Sequence, residues 1–179
     1  MSSFGPLRGI VRVCNSQDAI DRCQVSGTEI TIRNATHDDA ETIAVFNCQL
    51  AAETEDKPLD LATVRLGVSA LLRDARRGRY FVASTSDGQI VGQLMHTFEW
   101  SDWRNGEIWW LQSVYVHAEF RRQGVFRKLH QHLEQLAEST PGVVGLRLYV
   151  ENENAHAQET YRSLGLKEPG YRVMQRMFG

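Results

Sequence analysis

Residues 111–136 have the sequence LQSVYVHAEFRRQGVFRKLHQHLEQL, which joins a strand pattern to a helix pattern. Alternating side chains over residues 111–117 predict a strand. Apolar residues then recur at spacings of three, four and three, which predicts a helix from near Gln123 with one apolar stripe formed by Phe126, Leu129, Leu133 and Leu136. This stretch therefore predicts a strand, a turn and a helix, and the rest of the chain can be arranged around it.

The turn in this stretch is rich in positive charge. Arg121, Arg122, Arg127 and Lys128 crowd the first turn of the predicted helix, where the helix dipole disfavours cations. A bound anion would offset that cost, because free backbone N–H groups and cationic side chains would share it. Gly124 has no side chain, so a phosphate could approach the backbone closely. The alternative interpretation is a solvated basic corner.

Residues 121–126 resemble the Arg/Gln-x-x-Gly-x-Gly/Ala signature of the GNAT acyltransferase superfamily, which likewise follows a Val-x-Val strand and opens a long helix. Phe126 stands where that family usually has Gly or Ala. The resemblance implies that acetyl-coenzyme A binds at this turn. The cofactor contacts it implies are Val114, Tyr115, Val116, Arg121, Arg122, Gln123, Gly124, Val125, Phe126 and Arg127.

A second group of residues lies on the predicted helix 153–164. Asn154, Ala157 and Tyr161 share one face of it, as in any amphipathic helix with a half-buried Tyr. The stretch is also similar to the superfamily's second motif, Asn-x-x-Ala-x-x-x-Tyr-x-x-x-Gly-Phe, with Leu166 in place of the final Phe. The resemblance implies that Asn154 and Ala157 contact the cofactor, and that Tyr161 binds near the thioester sulfur as the general acid.

Composition excludes several classes of protein. A chain of 179 residues with a formal charge of −2 fits one domain and argues against non-specific nucleic-acid binding. No apolar run approaches the roughly 18 residues of a membrane span, and the N-terminus lacks the pattern of a secretory signal. Three cysteines without metal-ligand spacing predict reduced thiols in a cytoplasmic protein, and the scattered histidines favour no metal site.

The domain is predicted to occupy residues 29–179. Residues 1–28 match no part of the superfamily pattern and form an N-terminal extension, whether an extra edge strand, a flexible leader or a dimer contact. Periodicity and turn signals predict strands at 29–33, 80–85, 89–98, 107–117, 143–150 and 171–178. The predicted order is β-α-α-β-β-β-α-β-α-β. With the resemblance, this indicates an α/β (α+β) fold whose mixed, mostly antiparallel twisted sheet has six to seven strands and four main helices.

Acetyl transfer to an amine requires a polarised carbonyl and a base. The resemblance implies that the backbone N–H of Val114, where the family's strand splays from its neighbour, polarises the carbonyl. Some family members carry a Glu four residues before the splay, but that position is Trp110 here. Glu99 and Glu107 are the candidate bases, although either is also explained as a solvated turn residue.

Two groups of residues are candidates for the acceptor site. All four tryptophans lie between residues 100 and 110, where they form either an aromatic wall for a cationic amine or a core and hairpin tip. An acidic run follows the first predicted helix, in a loop that borders the acceptor cleft in the family. The candidate substrate contacts are Glu53, Glu55, Trp100, Asp102 and Trp103.

The predicted function is N-acetylation. The chain is expected to transfer acetyl from acetyl-coenzyme A to the primary amine of a small molecule, with polyamine-like amines among the candidates, by direct attack in a ternary complex. A protein or peptide amine as acceptor, and a sensor that binds acyl-coenzyme A without catalysis, are the alternatives. The expected assembly is a homodimer with no nucleic-acid, membrane or metal partner.

Overall fold

The computed structural model describes residues 29–178, in which five strands form one sheet in the order β1-β2-β3-β4-β5. The elements are β1 (Ile30–Asn34), α1 (Ala40–Glu55), α2 (Leu61–Arg73), β2 (Arg79–Thr85), β3 (Ile90–Ser101), β4 (Gly106–Val116), α3 (Val125–Ser139), β5 (Val143–Leu148) and α4 (Ala155–Ser163). Strands β1 to β4 pair antiparallel, and β5 pairs parallel to β4. The predicted mixed, mostly antiparallel α/β fold is confirmed.

Local chemistry sets several boundaries of these elements. The Asp60 side chain accepts a hydrogen bond from Thr63 N at 2.9 Å and so caps the start of α2. Helix α1 ends at Asp56, whose φ of 49° is left-handed. The hairpin from β2 to β3 turns at Gly88, with a φ of 89°, and the hairpin from β3 to β4 turns at Asn105, with a φ of 48°.

The sheet has a hydrophobic core on each face. Helix α3 packs on one face through Val125, Leu129 and Leu133, all of which are buried, so Val125 rather than the predicted Phe126 begins its buried face. Helices α1 and α2 pack on the opposite face, where a second cluster includes Ile43 and Val68. No helix within residues 29–178 is long and apolar enough to cross a membrane.

His96 lies in the middle of β3 among aromatic rings. Its ring stacks on Phe81 with centroids 5.7 Å apart and lies 4.4 Å from the ring of Trp109. Neither imidazole nitrogen has a hydrogen-bond partner within the described chain. Burial, with a smaller contribution from the charge of Arg79, lowers the pKa of His96 to about 4, so the side chain is neutral near pH 7.

The last predicted strand does not form. Residues 171–178 have no strand structure, and Tyr171, Met174 and Phe178 are 78%, 94% and 84% exposed. The sheet therefore has five strands instead of six or seven, because alternation makes a strand only where an edge pairs with it. The start of α3 also moves, from near Gln123 to Val125. Residues 1–28 and 179 lie outside the described part of the chain, and so does the predicted N-terminal extension.

Candidate active site

The backbone turn before α3 leaves N–H groups without acceptors. Arg122 and Gly124 have left-handed φ values of 61° and 79°. The first hydrogen bond of the helix runs from Lys128 N to Gly124 O at 3.0 Å, so the N–H groups of residues 125–127 have no intrahelical acceptor. A Cβ atom built on Gly124 would meet no atom within 4 Å. The turn is therefore open to a ligand, and its positive dipole end suits a phosphate.

The basic side chains of the turn fall into two groups. Arg121 is already engaged, since its Nη2 donates to Glu53 Oε2 at 2.5 Å and its Nε donates to Val116 O at 2.9 Å. Arg122 and Arg127 are exposed, and neither forms a hydrogen bond or ion pair with another described residue. Two of the three arginines thus remain available to an anion.

The remaining side chains of the 121–126 signature contact other residues of the protein. The Gln123 amide donates to the carbonyl of Glu119 at 2.7 Å, and Val125 is buried in the core. Phe126 is half-buried, and its ring meets the Tyr161 ring edge to face, with centroids 5.7 Å apart. The large side chain at position 126 thus points away from the turn and joins it to α4.

The second motif lies on α4 as predicted. Asn154 Oδ1 accepts a hydrogen bond from Ala157 N at 3.0 Å, so Asn154 is the N-cap of the helix. Ala157 is half-buried, one helical turn before Tyr161. Burial raises the pKa of Tyr161 above its usual value, so the hydroxyl keeps its proton near pH 7 and can donate it.

Strands β4 and β5 separate beside this helix. Their pairing ends at Leu111 and Leu148, although β4 continues for five more residues. His117 N donates to Val91 O at 2.9 Å, so the backbone groups of alternate residues face β3. Val114 lies beyond the last residue of β4 that pairs with β5, where the register between β3 and β4 also shifts. Strands β4 and β5 thus separate before Val114, as the predicted splay requires, and the role of its N–H stays a prediction.

Glu53 connects α1 to the turn and to β4. Tyr115 is buried, and its hydroxyl donates to Glu53 Oε1 at 2.9 Å. The Arg121 guanidinium binds the other carboxylate oxygen and lies 5.5 Å from the centre of the Tyr115 ring. Burial and the nearby Glu53 carboxylate raise the pKa of Tyr115. The carboxylate predicted to contact an acceptor is thus already held by two side chains.

An open cleft of about 510 Å³ lies between α1, α2 and the sheet. Its lining residues are Asn47, Leu50, Ala51, Glu55, Leu59, Val64, Gly67, Val68, Leu71, Tyr80, Met95, Leu111, Gln112, Ser113 and Tyr149. Glu55 is the one carboxylate among them, and none of them is Lys, Arg or His. The structure therefore places one predicted acceptor residue, Glu55, at the cleft.

A buried polar network forms the floor of this cleft. Asn47 Nδ2 donates to the Tyr80 hydroxyl at 3.0 Å, and Asn47 Oδ1 accepts from Gln93 Nε2 at 2.7 Å. Gln93 Nε2 also donates to the carbonyl of Ser113 at 3.3 Å, and Ser113 has a left-handed φ of 47°. Sequence analysis missed these residues, which come from four different elements. The one available signal was Gln93, a polar residue inside an apolar strand.

Glu99 belongs to a cluster that borders the cleft. Trp110 Nε1 donates to Glu99 Oε2, and Arg147 Nη1 donates to both carboxylate oxygens at 2.9 and 3.0 Å. The Arg147 guanidinium lies 5.2 Å from the centre of the Trp110 ring. Tyr149 lines the cleft, and its ring contacts the Trp110 ring, with centroids 4.3 Å apart.

Four predicted residues lie together near the β3–β4 hairpin tip and do not line the cleft: Trp100, Asp102, Trp103 and Glu107. The Glu107 carboxylate accepts from Trp109 Nε1 at 3.1 Å, and the Asp102 carboxylate accepts from Trp103 N at 2.9 Å. Seven residues of strand separate Glu107 from Val114, which corresponds to about 24 Å. The structure does not bring these four residues to the turn, and their roles stay predictions.

Comparisons of the sequence and of the fold with known proteins both identify acetyltransferases. The sequence profile of the acetyltransferase (GNAT) family matches residues 42–166. The crystal structure of a possible acetyltransferase from Clostridium difficile 630 superposes with a TM-score of 0.78, at 47% identity, covering 83% of this chain and 97% of that chain. A second structure, of a probable acetyltransferase, has a TM-score of 0.74 at 23% identity, covers 83% and 98% of the two chains, and shows the fold alone.

A curated relative matches a shorter region. The thialysine N-epsilon-acetyltransferase of Bos taurus is 32% identical over 79 residues, which is 44% of this chain. The match spans 45% of the length of that relative.

Proposed function

The chain belongs to the acetyltransferase (GNAT) family, and we propose that it transfers acetyl from acetyl-coenzyme A to the primary amine of a small molecule. Both substrates would bind together, and the amine would attack directly. The observation that carries this proposal is the open turn before α3, which Phe126 joins to Tyr161 and Arg121 joins to the end of β4. One site would thus hold the anion, polarise the carbonyl and supply a proton.

The residues of the turn fit the diphosphate of coenzyme A. The N–H groups of residues 125–127 have no intrahelical acceptor, and Gly124 leaves the space beside them open. Arg122 and Arg127 would add positive charge that no described residue neutralises. Arg121 would contribute its backbone, because its side chain is bound to Glu53. Asn154 and Ala157, at the start of α4, would contact the arm that leads from the diphosphate to the sulfur.

The cofactor would supply the acetyl group as a thioester, and three groups of the protein would assist its transfer. The Val114 N–H would donate to the carbonyl oxygen, where negative charge develops. The Tyr161 hydroxyl would give its proton to the sulfur as the bond to carbon breaks, and its raised pKa means that this proton is present near pH 7. The neighbouring backbone of Tyr115 and Val116 would align the arm along the open edge of β4.

The amine must lose a proton, and Glu99 is the better of the two candidate bases. Its carboxylate accepts from Trp110, the position four residues before the splay, and the Trp110 ring contacts Tyr149, which lines the cleft. Glu107 lies at the far end of the strand, where Trp109 already binds it. Glu99 would act through water, since Trp110 and Arg147 occupy its oxygens. A shift in the pH profile of kcat/KM on Glu99→Gln, absent on Glu107→Gln, would support this assignment.

The cleft supports a small molecule as the acceptor. Its volume of about 510 Å³ falls within the range of roughly 300–1,000 Å³ that small-molecule sites occupy. The name of the Bos taurus relative also denotes an enzyme that acetylates a small amine. Glu55 would attract an ammonium group, whereas the predicted contacts at Glu53 and at the hairpin tip have less support. The polyamine-like acceptor suggested by those acidic and aromatic residues is therefore weakened.

The protein is further proposed to act as a homodimer. Five large apolar side chains are exposed between residues 171 and 178: Tyr171, Val173, Met174, Met177 and Phe178. The outer edge of β5 has no strand partner within the described chain. An exposed edge and an exposed apolar segment both favour association with a second copy. Light scattering should give twice the chain mass, and deletion of residues 171–179 should reduce it to one.

Thiol release from acetyl-coenzyme A tests the function directly. Alkylamines, polyamines, thialysine, lysine and a lysine-containing peptide would be compared at equal concentration, with calorimetry of coenzyme A binding in parallel. We expect binding of coenzyme A and turnover with at least one small amine. Binding without turnover of any amine would support the sensor, and turnover of the peptide alone would support the macromolecular acceptor. Absence of coenzyme A binding would remove the proposal.

A further inference from the structure

We propose that the acceptor carries an apolar segment next to its reacting nitrogen, and that this segment lies in the cleft against Gly67. This inference rests on the proposed function and specifies its substrate class. The acceptor would be a primary alkylamine or arylalkylamine, in contrast to a polyamine with charges along its length. The reasons come from the composition of the cleft walls, from a helical glycine and from the polar network below.

The walls of the cleft favour an apolar occupant with one positive end. Eight of its lining residues are aliphatic, and the single charged one is Glu55. An ammonium group can therefore be drawn towards the cleft, because no lining residue repels it. A second ammonium group further along the acceptor would lie against aliphatic side chains and lose its hydration.

Gly67 leaves space at the centre of one wall. It occupies the middle of α2, where glycine is less favourable than alanine because the unfolded chain has more freedom. Val64 and Leu71 lie one turn before and one turn after it on the same helix face, and all three line the cleft. A Cβ atom added at Gly67 would meet no atom within 4 Å. Packing against this protein's own residues thus gives no reason for glycine here, whereas a ligand against the bare backbone does.

The floor of the cleft offers few free polar groups. Asn47 uses both its amide nitrogen and its amide oxygen, in bonds to Tyr80 and Gln93. Gln93 is fully buried, so its remaining oxygen cannot reach an occupant of the cleft. A polar acceptor body would lose hydrogen bonds to water there without replacing them. Ser113, which lines the same floor, is adjacent to Val114, so an amine at this end would lie beside the proposed carbonyl donor.

The first experiment compares propylamine, hexylamine and diaminohexane as acceptors, by kcat/KM for thiol release. Each methylene that enters the cleft should raise kcat/KM about twofold to fourfold, so hexylamine should exceed propylamine by about tenfold or more. Diaminohexane has the same length with a second charge and should not exceed hexylamine. Equal values for propylamine and hexylamine, or a tenfold preference for diaminohexane, would overturn the inference.

The second experiment fills the cleft at Gly67. Gly67→Leu should lower the ratio of kcat/KM for hexylamine to that for propylamine at least fivefold, and Gly67→Ala about twofold. Ala62→Leu adds the same side chain elsewhere on α2, outside the cleft lining, and should leave the ratio unchanged. Melting curves and coenzyme A calorimetry establish that each variant is folded and binds the cofactor. An unchanged ratio in folded Gly67→Leu would overturn the inference.

The outcomes separate this inference from the proposed function. If coenzyme A does not bind and no amine releases thiol, the proposed function fails and this inference fails with it. If propylamine is acetylated without any preference for chain length, the proposed function stands and this inference alone is overturned.

Discussion

The two ends of strand β4 differ in how many of their polar groups have hydrogen-bond partners within the protein. At the end near Gly106, β4 pairs with β3 on one side and β5 on the other, and the Glu107 carboxylate accepts from Trp109. At the end near Val116, β5 has separated from β4, and Ser113 has a left-handed φ. The first end is closed by its own hydrogen bonds, whereas the second leaves donors and a cleft open.

Residue type alone therefore does not locate a site. The tryptophan-rich end has the aromatic and acidic residues that suit recognition of a cation, yet these residues bind each other. The open end contains Val114, and the turn beside it contains Gly124; neither residue has a side chain that could transfer a proton. Their value lies in the backbone groups they leave free.

The largest effect on activity is expected at Tyr161, beside the open end of β4. Tyr161→Phe keeps the ring against Phe126 and removes the hydroxyl, so stability should change little. Loss of the general acid should lower kcat by roughly 10²-fold or more, with much less change in the KM for acetyl-coenzyme A. Tyr171→Phe, at an exposed position, serves as the control. A Tyr161→Phe enzyme with more than half the wild-type kcat, and with chemistry rate-limiting, would exclude the role.

Burial of His96 among the aromatic rings of the sheet should instead affect the free energy of unfolding at acid pH. The pKa of His96 is near its ordinary value of 6.5 in the unfolded chain and about 4 in the fold, so the unfolded state binds the proton first as the pH falls. Stability from this residue is present above pH 6.5 and is lost as the pH falls towards about 4, by up to roughly 3 kcal/mol.

Urea unfolding at a series of pH values measures this contribution. His96→Phe should reduce the slope of the unfolding free energy against pH by up to about 1.4 kcal/mol per unit within that window. His37→Gln removes an exposed imidazole and should keep the wild-type slope. An equal slope in the wild type and His96→Phe would mean that His96 is not held neutral by the fold.

A substitution at Gly124 tests the open end with a matched control at another turn. Gly124 and Gly88 have φ values of 79° and 89°, and a Cβ atom at either meets no atom within 4 Å. Valine at each position should cost a similar amount of stability, about 1–2 kcal/mol, from the left-handed backbone. Only Gly124→Val should weaken coenzyme A binding, by at least tenfold or about 1.4 kcal/mol. Equal affinities in the two folded variants by calorimetry would separate the turn from the cofactor.

The smallest effect is expected at the hairpin tip. Trp103 is 85% exposed, so Trp103→Ala should change the unfolding free energy by less than about 0.5 kcal/mol. Because the tip does not line the cleft, both KM values should also stay close to wild type. A raised KM for the acceptor, with the KM for acetyl-coenzyme A unchanged, would show that the tip contacts the acceptor.

Local periodicity predicted those parts of the fold that local contacts determine. The stripe on α3 reports burial against one sheet face, so Leu129 and Leu133 were assigned correctly. The turn signals between the predicted strands were also correct, since the hairpins turn at Gly88 and Asn105 and the backbone angles that Asp-Gly and Asn-Gly prefer are short-range properties. Alternation over residues 171–178 was not sufficient, because a strand also requires a partner edge.

The candidate site was predicted where it depends on one segment and missed where it depends on several. The turn before α3 and the Asn154–Tyr161 helix are each continuous in sequence, and the structure contains both as local features, while their binding roles stay predictions. The binding of Glu53 by Tyr115 and Arg121 joins residues more than sixty positions apart, and no spacing reports it. From the sequence alone, Gly67 is a residue that destabilises a helix; only the structure places it beside a cleft.

Helix α3 has a consequence for how the protein would exchange its amide hydrogens. The turn with the free N–H groups leads directly into Val125 and Leu129, which are buried in the main core. The helix therefore cannot open beyond this turn without disturbing that core, so its hydrogen-bonded amides from Leu129 onward should exchange through global unfolding, whereas the free N–H groups of the turn exchange without any opening. Coenzyme A at a hundredfold excess over its Kd would then slow exchange throughout the sheet, by an amount corresponding to about 2.7 kcal/mol.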